Sequence, residues 1–193
     1  MARADWTAHT GSVTLDGTHV RSGSSAALVP AGTESVTVAT WDQSATDSPA
    51  YGKFRSYFYF TDTGYFDFFF RRQDTDNMYM VEVRTNFNTD VGLHKVVGGA
   101  KTTSIDSVSP DTDPGEGAWV GVGAYWWDVQ GTLNVGVEID ANGDGSWSDN
   151  LARPLKDSNP DLSGGGGIGF GQDGSTGGDM DYDFWVDDSE VFY

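Results

Sequence analysis

Between Tyr51 and Arg84 the chain reads YGKFRSYFYFTDTGYFDFFFRRQDTDNMYMVEVR. Three apolar runs are split there by residues 61–64 (TDTG) and 73–77 (QDTDN). Each run alternates with a period of two, the repeat of a strand whose successive side chains face opposite ways. One parity carries Phe54, Phe58 and Phe60, then Phe66, Phe68 and Phe70, then Tyr79, Val81 and Val83. The other carries Arg55, Tyr57 and Tyr59, then Tyr65, Asp67, Phe69 and Arg71, then Met78, Met80, Glu82 and Arg84. Short alternating runs bounded by Asp, Asn, Gly and Thr predict strands joined by short loops. The stretch therefore predicts a three-stranded meander. Its phenylalanine face suits a dry inter-sheet core. Its mixed aromatic and charged face either holds a polar ligand or simply covers a solvated sheet.

The same punctuation runs through the rest of the chain. Short alternating segments at 12–15, 19–21 and 26–29 are broken by Asp16-Gly17 and Gly23-Ser24, and Asp-Gly between strands predicts a hairpin. Trp6 is expected to plug one end of the core. Residues 34–41 (ESVTVATW) predict a strand, followed by a polar loop over 42–52. Further strands are expected in 90–99, 116–128 and 131–140. In the last of these Leu133, Val135, Val137 and Ile139 alternate with Asn134, Gly136, Glu138 and Asp140. Residues 167–171 (GIGFG) and the closing run, with Tyr182, Phe184 and Val186 on one parity, complete the series, separated by a glycine-rich tip over 172–179. No stretch of ten or more residues keeps a 3.6 period, so almost no helix is expected. About twelve to fourteen strands imply two packed sheets. The fold class expected from the pattern is an all-β, two-sheet antiparallel sandwich, with residues 1–193 as one domain.

Composition supports a real core, since 13% of the 193 residues are aromatic and large rings bury much area each. The absence of cysteine excludes a disulfide framework and thiolate or zinc-thiolate chemistry. No apolar run is long enough to span a membrane as a helix, and no membrane insertion is expected. The opening MARADWTAHTGS lacks the charged-then-apolar pattern of a secretory signal. Net charge is −18, carried mostly by aspartate, with five glutamates and only Lys53, Lys95, Lys101 and Lys156 as lysines. Dense carboxylates repel one another at low ionic strength and are screened by salt. This balance resembles that of halophilic proteins, and it makes nucleic acid an unfavourable partner.

The order of these signals resembles the concanavalin-A-like, laminin-G-like jelly-roll superfamily. The segments that carry the resemblance are the early W-to-GSVTL segment, FRRQDTDNMYMVEVR (70–84), LHKVVGG (93–99), WVGV (119–122), LNVGVEIDANGDG (133–145), GGIGFG (166–171) and DFWVDD (183–188). The resemblance covers nearly the whole chain, and it implies that the sandwich is a jelly roll. It also implies a choice among lectins, glycan-binding modules, glycoside hydrolases, lyases and adhesive domains, which a fold alone does not make.

Several constellations bear on that choice. Asp140, Asn142, Asp144 and Ser146 stand at the spacing of a D-x-N-x-D-G calcium loop, whose alternate side chains converge oxygens on a hard cation. The twelfth position is Leu151, so Asp149 or Asn150 would have to complete the shell. The alternative is an acidic turn whose Asn and Asp bond their own backbone. Hydrolases of the resembled superfamily often carry Glu-x-Asp-x-x-Glu. Here Glu138-Ile139-Asp140 supplies only the first half, so no catalytic residue is assigned. His9, His19 and His94 show no ligand spacing. Tyr57, Tyr59 and Tyr65, with Arg71, Glu82 and Arg84, are the expected glycan-binding residues, because rings stack on sugar faces while Arg and carboxylate groups bond hydroxyls. One of Trp126 and Trp127 must point away from the core, since adjacent strand residues face opposite ways. Trp147 lies in the acidic loop. The function expected is a non-catalytic recognition or structural module, with a glycan, a surface protein or the other subunits of a virion as partner. Its expected place is an extracellular or virion surface, possible roles being a capsid decoration, turret or tail fibre, and Ca2+ is the cofactor the acidic loop suggests. The rival is a glycan-degrading hydrolase or lyase of the same fold.

Overall fold

The computed structural model describes residues 6–10, 13–30, 37–41, 51–74, 76–85, 91–162, 166–172 and 183–192. Two antiparallel sheets enclose one apolar core, and no helix occurs among the described residues. Numbered in chain order, the first sheet runs β1 (Trp6–Thr10), β4 (Thr37–Trp41), β15 (Gly167–Gln172), β6 (Tyr65–Arg72), β7 (Met78–Arg84), β8 (Val91–Val97), β10 (Asp106–Val108), with β9 (Ala100–Lys101) paired to β8. The second runs β13 (Ser148–Asp149), β12 (Thr132–Asp140), β11 (Trp119–Val129), β5 (Gly52–Phe60), β16 (Phe184–Phe192), β3 (Ala26–Val29), β2 (Thr14–Asp16), with β14 (Leu155–Asp157) paired to β12. This is the two-sheet sandwich that the alternation predicts, in the jelly-roll form that the resemblance implies.

The expected meander is half correct. β6 and β7 form the hairpin, with Phe66 opposite Val83, Phe68 opposite Val81 and Phe70 opposite Tyr79. β5 does not join them. After Phe60 the chain crosses to the other sheet, and β5 pairs instead with β11 and β16. Parity reveals which side chains share a face, but not which sheet a strand joins, and a four-residue link serves a hairpin or a crossover. The crossing sets one phenylalanine row against the other across the sandwich. Phe58 meets Phe66 at 5.0 Å and Phe68 at 5.5 Å between ring centroids, and Phe60 meets Phe66 at 4.9 Å. All of the predicted inward phenylalanines are buried, and offset or edge-on pairs of this kind add to the stabilisation from burial.

Two local departures from alternation shape one end of the sandwich. In β6, Arg71 adopts φ 49°, and the β6–β15 register slips there by one residue. In β16, Asp188 adopts φ 50° and the register against β5 jumps between Asp187 and Glu190. Each is a bulge, which re-aims the side chains that follow it. β11 and β12 close at Gln130-Gly131, both at positive φ (51° and 79°), as a tight hairpin turn demands.

Some expected elements fall otherwise. Residues 19–21 are not a strand. Instead β2 pairs directly with β3 across a loop that begins where Asp16 accepts the Thr18 N–H. The predicted strand at 34–41 is present over Thr37–Trp41, with 34–36 outside the described residues. The side chains of Trp6 and His9, the loop at 42–50, the tip at 173–179 and Tyr182 also lie outside them.

Candidate functional site

The six residues expected to form one glycan face are divided among three places, as the crossing after Phe60 requires. Tyr57 and Tyr59 lie on the outer side of the second sheet, and both are covered. The Tyr57 hydroxyl donates to Asp140 Oδ2 at 2.9 Å, the Arg21 guanidinium lies 3.4 Å from its ring centroid, and Trp147 meets it edge-on at 5.4 Å. Burial first, and then the bond to Asp140, raises the phenol pKa. Tyr59 is stacked under His19 at 4.0 Å and flanked by Trp119 and Trp185. Tyr65, Glu82 and Arg84 lie in the first sheet. Arg84 covers the Tyr65 ring at 4.9 Å and donates to its hydroxyl, while Glu82 accepts from Lys101 at 2.7 Å. Arg71 does not reach an outer face. Its left-handed φ turns it into the sandwich end, where it is 1% exposed and donates to Asp128 at 2.7 Å.

The predicted calcium ligands do not assemble either. Asp140 is 1% exposed, and both its oxygens are engaged: Oδ1 accepts the Asp144 N–H at 3.2 Å, and Oδ2 accepts the Gly145 N–H at 2.7 Å besides the Tyr57 hydroxyl. Asp144 bonds the Ser146 N–H, and its bonds to Ser146 hold its carboxyl below the usual range. Asp149 lies on β13 and accepts the Tyr125 hydroxyl at 2.9 Å. Asn142 and Ser146 are exposed. No three acidic or histidine side chains converge on a cation position among the described residues. In this arrangement Asp140, Asp144 and Asp149 accept from the turn's own N–H groups and from two tyrosine hydroxyls, while Asn142 and Ser146 face solvent.

What the fold does assemble is a groove of about 530 Å³ at one end of the second sheet. Its walls come from strands on either side of β5. β11 contributes Tyr125 and Trp127, whose rings are 10° from parallel with centroids 5.4 Å apart. β16 contributes Phe192, which is 43% exposed. The floor is Gly52 and Lys53 of β5, with Tyr51, 60% exposed, beside it. Trp126 points inward, stacks on Phe70 at 5.0 Å and lies under Gly52, where a Cβ would come within 2.8 Å of the indole. Gly136 has a matching role. Tyr125 crosses β12 above it, with Cζ 2.1 Å from where a Cβ would stand, to reach Asp149.

Lys53 is held in place from the side, on the same face of the sheet. Glu138, 4% exposed, takes Lys53 Nζ at 2.9 Å and both the Nε and a terminal nitrogen of Arg55, the latter at 2.8 Å. That bond raises the guanidinium pKa. The Lys53 ammonium stands 5.6 Å from the Tyr125 ring centroid and 6.0 Å from that of Phe192. A cation between two rings on an apolar floor can orient a flat, partly polar ligand. Glu138 has both oxygens occupied, so it is not placed as a free acid or base.

The sequence pointed to Trp127 as one of two alternatives and missed Tyr51, Lys53, Tyr125 and Phe192. Lys53 and Tyr125 were accessible from parity, since Lys53 is two residues before Arg55 and Tyr125 two before Trp127. Phe192 was not, because strict alternation from Phe184 sends it inward and only the bulge at Asp188 brings it out.

The described residues form a jelly-roll sandwich with an aromatic groove at one end. No family model matches this chain, and no curated protein does. Solved structures match in fold. A carbohydrate-binding module, CBM66 from Bacillus subtilis, is 15% identical with a TM-score of 0.62 over 98% of this chain and 96% of its own. The exoplasmic/lumenal domain of VIP36, in a Ca2+/Man3GlcNAc-bound form, is 11% identical with a TM-score of 0.60 over 99% and 84%. A GH43 glycoside hydrolase is 7% identical with a TM-score of 0.53, this chain matching 41% of it. At such identities the likeness is one of fold.

Proposed function

We propose that this chain is a non-catalytic carbohydrate-binding module that holds a glycan in the groove between Tyr125–Trp127 and Phe192. The observation that carries the reading is that groove itself. Parallel rings on one strand face a third ring across an ammonium, and rings left accessible to solvent are what a sugar's C–H face packs against. The folds of CBM66 and of the Man3GlcNAc-bound VIP36 domain support the ligand class. Against hydrolysis, both oxygens of Glu138 are bound to cations, whereas glycoside hydrolysis needs two carboxyl groups flanking the scissile bond. Binding is proposed to need no Ca2+, because the acidic loop spends its oxygens on N–H and hydroxyl donors. The charge of −18 suits concentrated salt, where carboxylate repulsion is screened, and an outer surface, cellular or viral, is proposed as its place.

The test is a glycan array run in about 1 M salt, where the screening length is about 3 Å, with and without Ca2+. Binding to a defined glycan in both conditions is expected, and it is lost in Trp127→Ala. Binding that appears only with Ca2+, or no binding to any glycan, refutes the proposal.

A further inference from the structure

Trp127 and Asp128 are consecutive on β11 and belong to different recesses. Trp127 walls the aromatic groove, while Asp128 lines a pocket of about 700 Å³ together with Arg71, Gly131, Ser158, Asn159 and Asp161. The pocket has opposite chemistry to the groove. At its base Arg71 is 1% exposed and held by Asp128 at 2.7 Å and by the Leu162 carbonyl at 3.4 Å. Its backbone is in the left-handed region at φ 49°, where a non-glycine residue persists only if its surroundings over-determine it, and such strain concentrates at functional sites. The opposite wall is equally fixed. Lys95 bonds both Asp157, at 3.1 Å, and Asp161, and Asp157 in turn accepts the buried Tyr79 hydroxyl at 2.7 Å. Two carboxylates, Asp128 at 37% and Asp161 at 59% side-chain exposure, therefore face an open space beside an amide and a hydroxyl, all on braced backbone.

We propose that this pocket is a second saccharide subsite, selective for a neutral, hydroxyl-rich sugar unit. The argument is one of complementarity. Carboxylate oxygens accept from sugar hydroxyls, while Asn159 and Ser158 both donate and accept, which is the mixed set that hydroxyl pairs require. Arg71 and Lys95 share their two positive charges among Asp128, Asp157 and Asp161, so an anionic sugar adds to a net negative site, and like charges brought together oppose binding. The choice of a sugar rests on the glycan reading of the groove. The pocket itself rests on its own geometry.

The test is amide and indole chemical-shift mapping of the full chain in about 1 M salt, with neutral gluco-, manno- and xylo-oligosaccharides of increasing length and with glucuronate as the anionic probe. At least one neutral sugar is expected to shift Gly131, Asn159 and Asp161. Those shifts should survive in Trp127→Ala, which removes the groove wall. Asn159→Trp, which fills the pocket without touching Arg71, should abolish them and leave the Trp127 indole shift intact, with thermal melting confirming the fold of each variant. Glucuronate should bind the pocket at least about tenfold more weakly than a neutral sugar. Shifts confined to Trp127 and Tyr51 overturn the subsite and leave the groove reading standing. Tighter glucuronate binding overturns the neutral selectivity. No shift with any probe overturns both readings.

Discussion

Replacing Glu138 by alanine removes a carboxylate that holds two cations beside the groove. Cutting a fully buried ion pair costs about 3–5 kcal/mol, because the remaining charge has no compensation. A surface pair is worth about 0–1 kcal/mol. Glu138 has 5% side-chain exposure, but Arg55 and Lys53 have 21% and 29%, so both cations can turn toward water once freed. The expected loss lies between those limits, at about 2 kcal/mol. For a chain of this length that lowers the melting temperature by about 4–8 °C. The assay is urea denaturation of Glu138→Ala, Arg55→Ala and the double variant in about 1 M salt, where exposed pairs are screened and sheltered ones much less so. The Glu138–Arg55 coupling is expected at about 1–2 kcal/mol. The same cycle on Arg153 and Asp106, where the arginine is 50% exposed, should give a clearly smaller coupling in that salt. Equal couplings for the two pairs would refute the view that Glu138 is a sheltered support.

Other expectations follow from particular contacts. Phe58→Ala, at a fully buried ring in contact with Phe66, Phe68 and Phe184, should cost about 3–5 kcal/mol in denaturant unfolding. Gly136→Ala places a methyl group on the Tyr125 ring. It should weaken glycan binding and destabilise the fold by about 1–3 kcal/mol, read by titration and melting. Burial alone would raise the Asp157 carboxyl, but the Asn159 N–H, the Tyr79 hydroxyl and Lys95 together hold it below its ordinary value. A depressed folded-state pKa stabilises above the unfolded value, about 3.9, and that contribution fades as pH falls through the lower folded value. Melting from pH 6 downward should therefore steepen below about pH 4, and Asp157→Asn should flatten that slope.

The inward half of the fold was legible because burial follows parity: Phe54, Phe58, Phe60, Phe66, Phe68 and Phe70 face the core as their spacing requires. The outward half was less so. Whether Tyr57 and Tyr65 share a surface depends on which sheet receives β5, and that is settled by packing between distant strands. The acidic loop illustrates a second limit. Its spacing suits a cation or a self-bonded turn, and the Tyr57 hydroxyl on Asp140, 83 residues away in sequence, helps to decide for the turn. Arg71 and Phe192 show a third. Each follows or sits at a bulge, where a single residue in the left-handed region reverses the facing of a side chain that alternation assigns to the other side.

The most direct test of the account compares Trp127→Ala with Tyr59→Ala by calorimetric titration of one glycan found on the array. Trp127 stands at the groove wall, whereas Tyr59 is covered by His19 and flanked by Trp119 and Trp185. Trp127→Ala should weaken binding at least about tenfold, a loss of about 1.4 kcal/mol or more, with Tyr59→Ala indistinguishable from the parent. Loss of binding in Tyr59→Ala with Trp127→Ala unaffected would place the ligand elsewhere on the sheet and contradict the groove as the site.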